Sequence, residues 1–299
     1  MDHHHKLKVA IIGSGNIGTD LLIKILRSKY LTCTLFAGRN LTSAGMKRAA
    51  ELGIAISDRG IDAIVSNPSI CDVVFDATSA HAHIDHWTIL SELGKTVIDM
   101  TPAKLGVFCI PAINTRDCLG GGARNINMIT CGGQSSIPIA KAIADVHSDI
   151  EYIEVVSSIA SRSAGPATRA NLDEYIETTE DALQRFSGAQ RTKAILILNP
   201  AMPPIDMQTT IYAKISDPDI DAIRISVAKM VEKLKVYVPG YDLIVPPTLE
   251  GGRVLTTIKV VGNGDYLPQY AGNLDIINCA AIAVAETIAA SVVTEEKTE

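Results

Sequence analysis

The chain has 299 residues, of which 47% are hydrophobic and 20% charged, and its formal net charge is −6. This composition fits a globular protein of one or two domains with an ample core. Without a strongly basic stretch we expect no nucleic-acid partner. The first residues lack an apolar signal region. The apolar run 276–290 is short for a membrane span and contains Asn278 and Glu286. We therefore expect a buried helix there, no membrane contact and a cytoplasmic location.

Apolar strands and amphipathic helices alternate through the first part of the chain. Strands are predicted at 8–12, 32–37, 73–77 and 96–99, and helices at 19–27, 45–52, 61–67 and 81–93. Alternation at this spacing predicts an α/β fold with a Rossmann-like, doubly wound parallel sheet.

The pattern changes after residue 131. Helices are predicted at 136–146, 171–186, 219–234 and about 276–290, and strands at 150–160, 194–198, 208–214, 235–238 and 254–261. Antiparallel strands with helices on one face predict a second, α+β substrate domain. The last helix is expected to pack back onto the first domain.

A glycine-rich turn follows the first predicted strand and opens the first predicted helix. It reads Gly13, Ser14, Gly15, Asn16, Ile17 and Gly18. In this context the first glycine permits a tight turn, the second lets a pyrophosphate approach the backbone, and the third allows close packing of helix and strand. The turn predicts a nicotinamide dinucleotide site, and the alternative is a glycine-rich turn of an ordinary α/β fold.

The second strand ends without the acidic residue that binds a ribose 2′-hydroxyl. The chain has Gly38, Arg39 and Asn40 there. Arg39, with Thr42 or Ser43, would suit a 2′-phosphate, which favours NADP or the use of both cofactors. The alternative is that Arg39 is solvated or stacks on the adenine. The segment 76–79 follows the third strand, at another edge that the cofactor usually passes.

Six scattered cysteines lack the spacing of a zinc site or a disulfide framework, so we expect no metal. Most are interpreted as core thiols, and Cys118 as a loop residue. Cys131 stands between Thr130 and two glycines, just before a helix predicted to start near Ser135. Free N–H groups and the helix dipole would favour its thiolate, so Cys131 is the candidate nucleophile for aldehyde oxidation through a thioester. A structural thiol at a helix cap is the alternative.

Two other segments are candidates for supporting roles. The small-residue loop 161–171 could bind the nicotinamide end or an oxyanion through its amides. Arg162 and Arg169 could bind phosphates there or be solvated. His81, His83 and His86 share one helical stretch and are interpreted as surface or capping residues, with a catalytic base among them as the alternative.

The segments 9–21, 76–79, 130–134, 163–171, 199–201 and 266–275 together resemble acylating acetaldehyde dehydrogenase, the CoA-dependent enzyme of aromatic meta-cleavage pathways. The resemblance runs from about residue 7 to 290. It implies oxidation of acetaldehyde or propanal to the acyl-CoA, with NAD or NADP as acceptor and coenzyme A as co-substrate. It also implies a homodimer in complex with 4-hydroxy-2-oxovalerate aldolase, which passes the aldehyde through a tunnel.

The resemblance also assigns residues. It makes Cys131 the acyl-thioester residue and the backbone amides of Asn171 and Leu172 the oxyanion hole. It implies a dinucleotide-binding domain over 1–130, with helix 271–299 packed on it, and a catalytic and dimerisation domain over 131–270. The implied cofactor contacts are Ser14, Gly15, Asn16, Ile17, Ser163, Ala164, Gly165, Pro166, Ala167, Thr168, Arg169, Ala170, Asn171 and Asn273.

The chain departs from the family pattern at three points. The family's acid near the second strand is absent, a carboxylate expected beside the catalytic thiol is replaced by Thr209 unless Asp206 substitutes for it, and a histidine is replaced by Asp265. Two alternative functions therefore remain: a phosphorylating semialdehyde dehydrogenase, for which only His147 follows the cysteine, and a non-catalytic dinucleotide-binding regulator.

Overall fold

The computed structural model describes residues 6–296, without the side chains of Ala167 and residues 293–296. It consists of two compact units. The first comprises residues up to 128 together with those from 278 onward, and the second comprises 129–277.

The first unit is built on a parallel sheet of seven strands in its described part, in the order β3-β2-β1-β4-β5-β7-β6. The strands are β1 Leu7–Ile12, β2 Leu31–Ala37, β3 Ile56–Ser57, β4 Val73–Asp76, β5 Thr96–Asp99, β6 Val107–Phe108 and β7 Asn125–Asn127. The helices are α1 Asn16–Arg27, α2 Ala44–Glu51, α3 Asp62–Val65, α4 Ala80–Glu92 and α5 Pro111–Gly120. The predicted Rossmann-like sheet is confirmed, but Cys118 lies buried in α5 rather than in a loop.

The strand order reverses direction between β1 and β4. From β1 the chain proceeds to β2 and β3 on one side and later to β4 and β5 on the other. In sheets of this kind ligands bind in the crevice at the carboxyl ends of the strands where the order reverses. The turns after β1 and β4 touch there, because a side chain at Gly13 would overlap the carbonyl of Ala77.

The second unit is a five-stranded sheet in the order β11-β12-β10-β8-β9, with helices on one face. Its elements are α6 Cys131–Ala144, β8 Tyr152–Ala160, α7 Pro166–Ala170, α8 Leu172–Ser187, β9 Arg191–Asn199, β10 Met207–Lys214, α9 Ile220–Lys235, β11 Tyr241–Glu250 and β12 Arg253–Val260.

Two predictions for the second unit are wrong. The sheet is mixed rather than antiparallel, because β8 and β9, joined through α8, pair in parallel. Residues 235–238 end α9 and turn, and the strand predicted there lies at β11 instead. The helix ends at Lys235, the amides of Tyr237 and Val238 donate to the carbonyl of Leu234, and Val236 is 84% exposed, so this apolar segment forms a turn rather than a strand.

The last helix, α10 Gly272–Glu296, is longer than predicted. By length and composition its stretch Gly272–Val292 could cross a membrane, so the expectation that this run is too short is wrong. However, 56% of an 18-residue window of this stretch is buried in the protein. Its polar residues are anchored in the first unit, where Asn278 donates to Asp20 at 2.8 Å and Glu286 accepts from Ser28 at 2.6 Å. Those contacts are typical of a core helix.

Candidate active site

The glycine-rich turn has the backbone that a dinucleotide site requires. Gly13 has φ +117°, a conformation that side chains disfavour. A side chain at Gly18 would overlap the carbonyl of Gly13, whereas nothing lies within 4 Å of a Cβ placed on Gly15. Gly15 precedes α1, and no side chain caps that helix start. The amides of Asn16 and Ile17 therefore begin a helix whose N-terminus is open to an anion.

At the end of β2 the arginine is exposed and its neighbours are bonded to one another. The Asn40 side chain accepts from the amide and hydroxyl of Thr42. Ser43 caps α2 by accepting from the amide of Met46, and its hydroxyl lies 3.4 Å from that of Ser14. Gly38 lies against the turn, since a Cβ there would come within 2.6 Å of the Ser14 hydroxyl oxygen, and the exposed Arg39 follows it.

A buried carboxylate–histidine network lies at the carboxyl ends of β4 and β5. Asp76 accepts from His83 at 3.0 Å and His86 at 2.8 Å through one oxygen, and from the Thr78 hydroxyl through the other. The other ring nitrogen of His83 lies 3.4 Å from Asp99. His83 is fully buried and His86 nearly so. The interpretation of both as surface or capping residues is thus wrong, and only His81 is exposed.

The pKa values in this network follow from its geometry. Burial alone would raise the pKa of Asp76, but the hydrogen bonds from His83 and His86 outweigh it and leave the pKa lowered. Burial would lower the pKa of His83, but its bond to Asp76 and the charges of Asp99 and Asp76 leave it raised. Burial raises the pKa of Asp99 to about 7 despite the nearby His83.

Side-chain amides border both His83 and Asp99. The amide nitrogen of Asn125 lies 3.1 Å from Nε2 of His83, while the Asn125 oxygen is buried without a partner. Asn127 at the end of β7 donates to Asp99 at 2.8 Å. The network thus links the ends of three adjacent strands.

Cys131 is the first residue of α6, not a residue before it. Thr130 is the N-cap, and its hydroxyl accepts from the amide of Gly133 at 2.8 Å. The helix therefore begins four or five residues earlier than the predicted start near Ser135. Gly132 and Gly133 belong to the first turn of this helix. A side chain at Gly132 would overlap the Tyr175 hydroxyl, and one at Gly133 would overlap the side chain of Ile129.

The Cys131 thiol is half-buried and contacts a phenol. Its Sγ atom lies 3.7 Å from the hydroxyl of Tyr175, in the first turns of α8. Burial raises the pKa of Cys131 to about 11, while the Tyr175 hydroxyl and the amides of Gly132 and Cys131 lower it. The helix start favours the thiolate as expected, but burial has the larger effect and leaves the pKa of Cys131 raised.

Thr209 lies close to the start of α6 and holds three elements together. Its hydroxyl is 3.0 Å from those of Ser135 in α6 and Ser157 in β8. The position that carries a carboxylate in the family pattern is thus a buried hydroxyl junction. His147 accepts from the amide of Asp219 at 2.9 Å, which ties it to the start of α9 rather than to the thiol.

The loop 161–171 folds into short helical turns. Arg169 donates to the carbonyls of Ser161 and Ala164, so it braces the loop rather than standing free for phosphates. Arg162 is exposed, and Ser163 is buried with its hydroxyl on the carbonyl of Ala160. The remaining predicted contacts here are Gly165, which starts α7, Pro166, Ala167, Thr168 and Ala170 within α7, and Asn171 and Leu172 at the junction with α8.

Two helix starts converge on the thiol. The carbonyl of Asn171 accepts from the amide of Tyr175, and Leu172 is the first residue of α8. The hydroxyls of Thr130 and Thr179 meet at 2.7 Å, so the cap of α6 is bonded to α8. The predicted oxyanion-hole residues therefore begin the helix whose Tyr175 touches Cys131.

Asn273 is buried in the first turn of α10, only 1% exposed. Neither the oxygen nor the nitrogen of its side-chain amide has a hydrogen-bond partner within the described structure. A buried unpaired amide is costly, and such groups commonly await a ligand. The roles predicted for Cys131, the turn and Asn273 (the last implied by the resemblance) stay predictions. Tyr175 was not among the predicted residues, because its only sequence signal is its place one turn into a predicted helix.

A Rossmann-like unit with an open phosphate turn, followed by a mixed-sheet unit with a cysteine at a helix start, defines a dehydrogenase of the semialdehyde dehydrogenase class. The family model "Semialdehyde dehydrogenase, NAD binding domain" matches residues 8–118, and "Prokaryotic acetaldehyde dehydrogenase, dimerisation" matches residues 131–268. The chain belongs to the acetaldehyde dehydrogenase family of oxidoreductases.

Relatives and solved structures agree with this assignment. The chain is 76% identical to an acetaldehyde dehydrogenase of Pectobacterium atrosepticum, over 95% of this chain and 96% of that protein. It is 56% identical to one of Spirochaeta aurantia, over 95% of each. The fold is similar to that of aspartate semialdehyde dehydrogenase with NADP from Candida albicans, with a TM-score of 0.66 and 11% identity over 95% of this chain and 98% of the other.

Proposed function

We propose that this enzyme oxidises acetaldehyde, or another short aldehyde, to the acyl-CoA through a thioester on Cys131. The observation that carries the proposal is the half-buried thiol at the N-terminus of α6, within reach of the Tyr175 hydroxyl and beside the start of α8. A thiol in this setting can add to a carbonyl while nearby N–H groups stabilise the oxyanion.

The chemistry proceeds in two stages. The Cys131 sulfur forms a bond to the aldehyde carbon, and the amides of Asn171 and Leu172 are proposed to hold the oxyanion. A bound nicotinamide dinucleotide would accept hydride as the carbon–hydrogen bond of this adduct breaks, and the carbonyl that re-forms belongs to the thioester on Cys131. The thiol of coenzyme A then attacks the thioester carbon, the bond to Cys131 breaks, and its electron pair returns to the Cys131 sulfur.

The residues present fit a dinucleotide. Gly15 leaves open space at an uncapped helix start, and Asn273 has an unpaired buried amide. We propose that the turn 13–18 holds the pyrophosphate, and that the segment 163–171 and Asn273 contribute the other contacts. The two-domain assignment, with dinucleotide binding over 1–130 and helix 271–299, and catalysis and dimerisation over 131–270, belongs to the same proposal.

Arg39 supports use of NADP as well as NAD, because it is exposed just after β2 and the chain has no acidic residue there to bind a ribose 2′-hydroxyl. Arg39→Asp should shift preference toward NAD by about tenfold or more in the ratio of kcat/KM values, since one lost charged contact to a phosphate is worth about 1.5–3 kcal/mol. Arg59→Asp, an exposed arginine bonded to Ser66 after β3, is the control. An unchanged ratio for Arg39→Asp would show that Arg39 does not contact the 2′-phosphate.

The proposed activity is tested by incubating the enzyme with acetaldehyde, coenzyme A and either dinucleotide. We expect reduced nicotinamide and acetyl-CoA from the wild type and from Cys279→Ala, which removes a buried thiol elsewhere, but not from Cys131→Ala. Full activity of Cys131→Ala would refute the thioester route. Replacing coenzyme A by phosphate separates this function from a phosphorylating semialdehyde dehydrogenase, and cofactor binding without turnover of any aldehyde would favour a regulator.

We further propose a homodimer and a cytoplasmic location. The matching dimerisation model supports the former. Six free cysteines among the described residues suit a reducing compartment. An aldolase that cleaves 4-hydroxy-2-oxovalerate is the proposed source of the aldehyde, and its co-purification with this chain is the test of that partner.

A further inference from the structure

We propose that Tyr175 is a catalytic residue whose hydroxyl stabilises the Cys131 thiolate. This inference rests on the proposed function, because it assumes that Cys131 carries the acyl group. The observation behind it is the 3.7 Å contact between Sγ of Cys131 and the phenol oxygen.

The place of the phenol is fixed by the helix that carries it. The carbonyl of Tyr175 accepts from the Thr179 hydroxyl at 2.7 Å, and Thr179 in turn meets the hydroxyl of Thr130 at 2.7 Å. Because Thr130 caps α6, these bonds hold the start of α6 against α8. Tyr175 is therefore positioned by the same cap that positions Cys131.

The phenol is able to donate to a sulfur anion. Burial raises the pKa of Tyr175 well above its usual value, although the Gly132 amide and the Thr130 hydroxyl act to lower it. The phenol therefore stays protonated beside the start of α6. A side chain at Gly132 would overlap the phenol oxygen, so the Tyr175 hydroxyl can lie this close to the start of α6 only because residue 132 is glycine.

The groups that would otherwise act on the thiol are occupied elsewhere. Thr209 is bonded to Ser135 and Ser157, and His147 accepts from the amide of Asp219. In the ligand-free protein the thiol proton points at the phenol oxygen. When that proton leaves to solvent, the electron pair stays on sulfur and the phenol O–H can turn to donate to it.

The same hydrogen bond serves both halves of the reaction. It stabilises the thiolate that attacks the aldehyde, and it stabilises Cys131 again as the leaving group when the sulfur of coenzyme A displaces it. A charge-assisted bond of this kind is stronger than one between neutral groups. Tyr175 is thus expected to affect kcat more than KM.

The test measures Cys131 alkylation in the ligand-free protein from about pH 7 to 10, with mass spectrometry to identify the labelled site. Tyr175→Phe should slow labelling about tenfold at any fixed pH below the midpoint, corresponding to a rise of about one unit in the pKa. Tyr152→Phe, which loses only a bond to Glu154, should leave the rate unchanged. Gly132→Ala, which displaces the phenol but keeps it, should act in the same direction as Tyr175→Phe.

Two reagents of different size separate a change of pKa from a change of access. Iodoacetamide and N-ethylmaleimide should slow by the same factor if the thiolate is destabilised, whereas a closed site would slow the larger reagent more. Equal labelling of wild type and Tyr175→Phe, or a size-dependent loss, would overturn the proposal for Tyr175. Turnover by Cys131→Ala would instead refute the thioester route and leave the labelling result intact.

Discussion

At the scale of single residues, the three glycines of the first turn are not equivalent. Gly13 provides a backbone angle and Gly18 allows a close approach, so both are required by the fold. Gly15 has φ −79° and ψ −169°, which any residue adopts, and its surroundings are open. Only a ligand, on this argument, requires a glycine at position 15.

This difference can be measured with a matched pair of variants. Gly15→Ala should change the free energy of unfolding by no more than about 1 kcal/mol, yet weaken dinucleotide binding tenfold or more because its methyl group occupies the phosphate path. Gly18→Ala should lower stability by about 2–3 kcal/mol through overlap with the Gly13 carbonyl. Thermal unfolding and fluorescence titration with NADH test both. Normal NADH affinity in Gly15→Ala would show that the phosphates do not approach there.

The same residues show what the sequence could predict. The turn is recognisable because its three glycines stand within six consecutive residues, between a predicted strand and a predicted helix. The contact of Tyr175 with Cys131 depends on two helix starts brought together by Thr130 and Thr179, a pairing 49 residues apart. No local pattern contains such a pairing, so the partner of the thiol was visible only in the structure.

At the scale of elements, hydrogen bonds and ion pairs among polar side chains link the ends of β4, β5 and β7. Apolar segments predicted β4 and β5 to within a residue, since a buried parallel strand has a simple pattern, whereas the three-residue β7 was not predicted as a strand. The histidines of α4 were misassigned because polar residues on a helix usually face water. Here His83 faces the sheet, where Asp76 and Asp99 supply the opposite charge.

This network predicts how stability depends on pH. His83 has a raised pKa in the folded state, so its stabilisation is present below about pH 6.5 and lost as pH rises through the folded pKa. Asp99, with its pKa raised to about 7, acts in the same direction, because the folded protein holds a proton that the unfolded chain has released. Asp76 has a lowered pKa in the folded state, so it stabilises the fold above about pH 4, and this contribution is lost as pH falls further.

We therefore expect the melting temperature to fall as pH rises from about 6 to 8.5. His83→Gln should cost about 3 kcal/mol, because Asp76 and Asp99 lose the cation between them, and should flatten that fall. His81→Gln, an exposed residue of the same helix, should keep the wild-type profile. If the melting temperature of His83→Gln fell with pH as steeply as that of the wild type, a group other than His83 would cause the fall.

At the scale of the whole molecule, one face of the five-stranded sheet packs under helices and the other remains partly exposed. In β8 the buried residues are Ile153, Val155, Ser157 and Ile159, and the residues between them face the open side. Val156 pairs there with Ile195 of β9 and Thr210 of β10. This open face is rich in β-branched and aromatic side chains, as a surface that pairs with a second copy would be.

The open face leads to a prediction about assembly. Ile197, 44% exposed on β9 and beside Ser158 of β8, belongs to this face. Ile197→Lys should convert the proposed homodimer to monomers, because a charge placed in an apolar interface loses its hydration without a partner. Ile225→Lys is the control, since Ile225 is 58% exposed but lies on α9, in the helical layer on the other side of the sheet. Sedimentation of both variants at equal concentration tests the difference, and a dimeric Ile197→Lys protein with an intact melting temperature would direct the search for the interface to another surface.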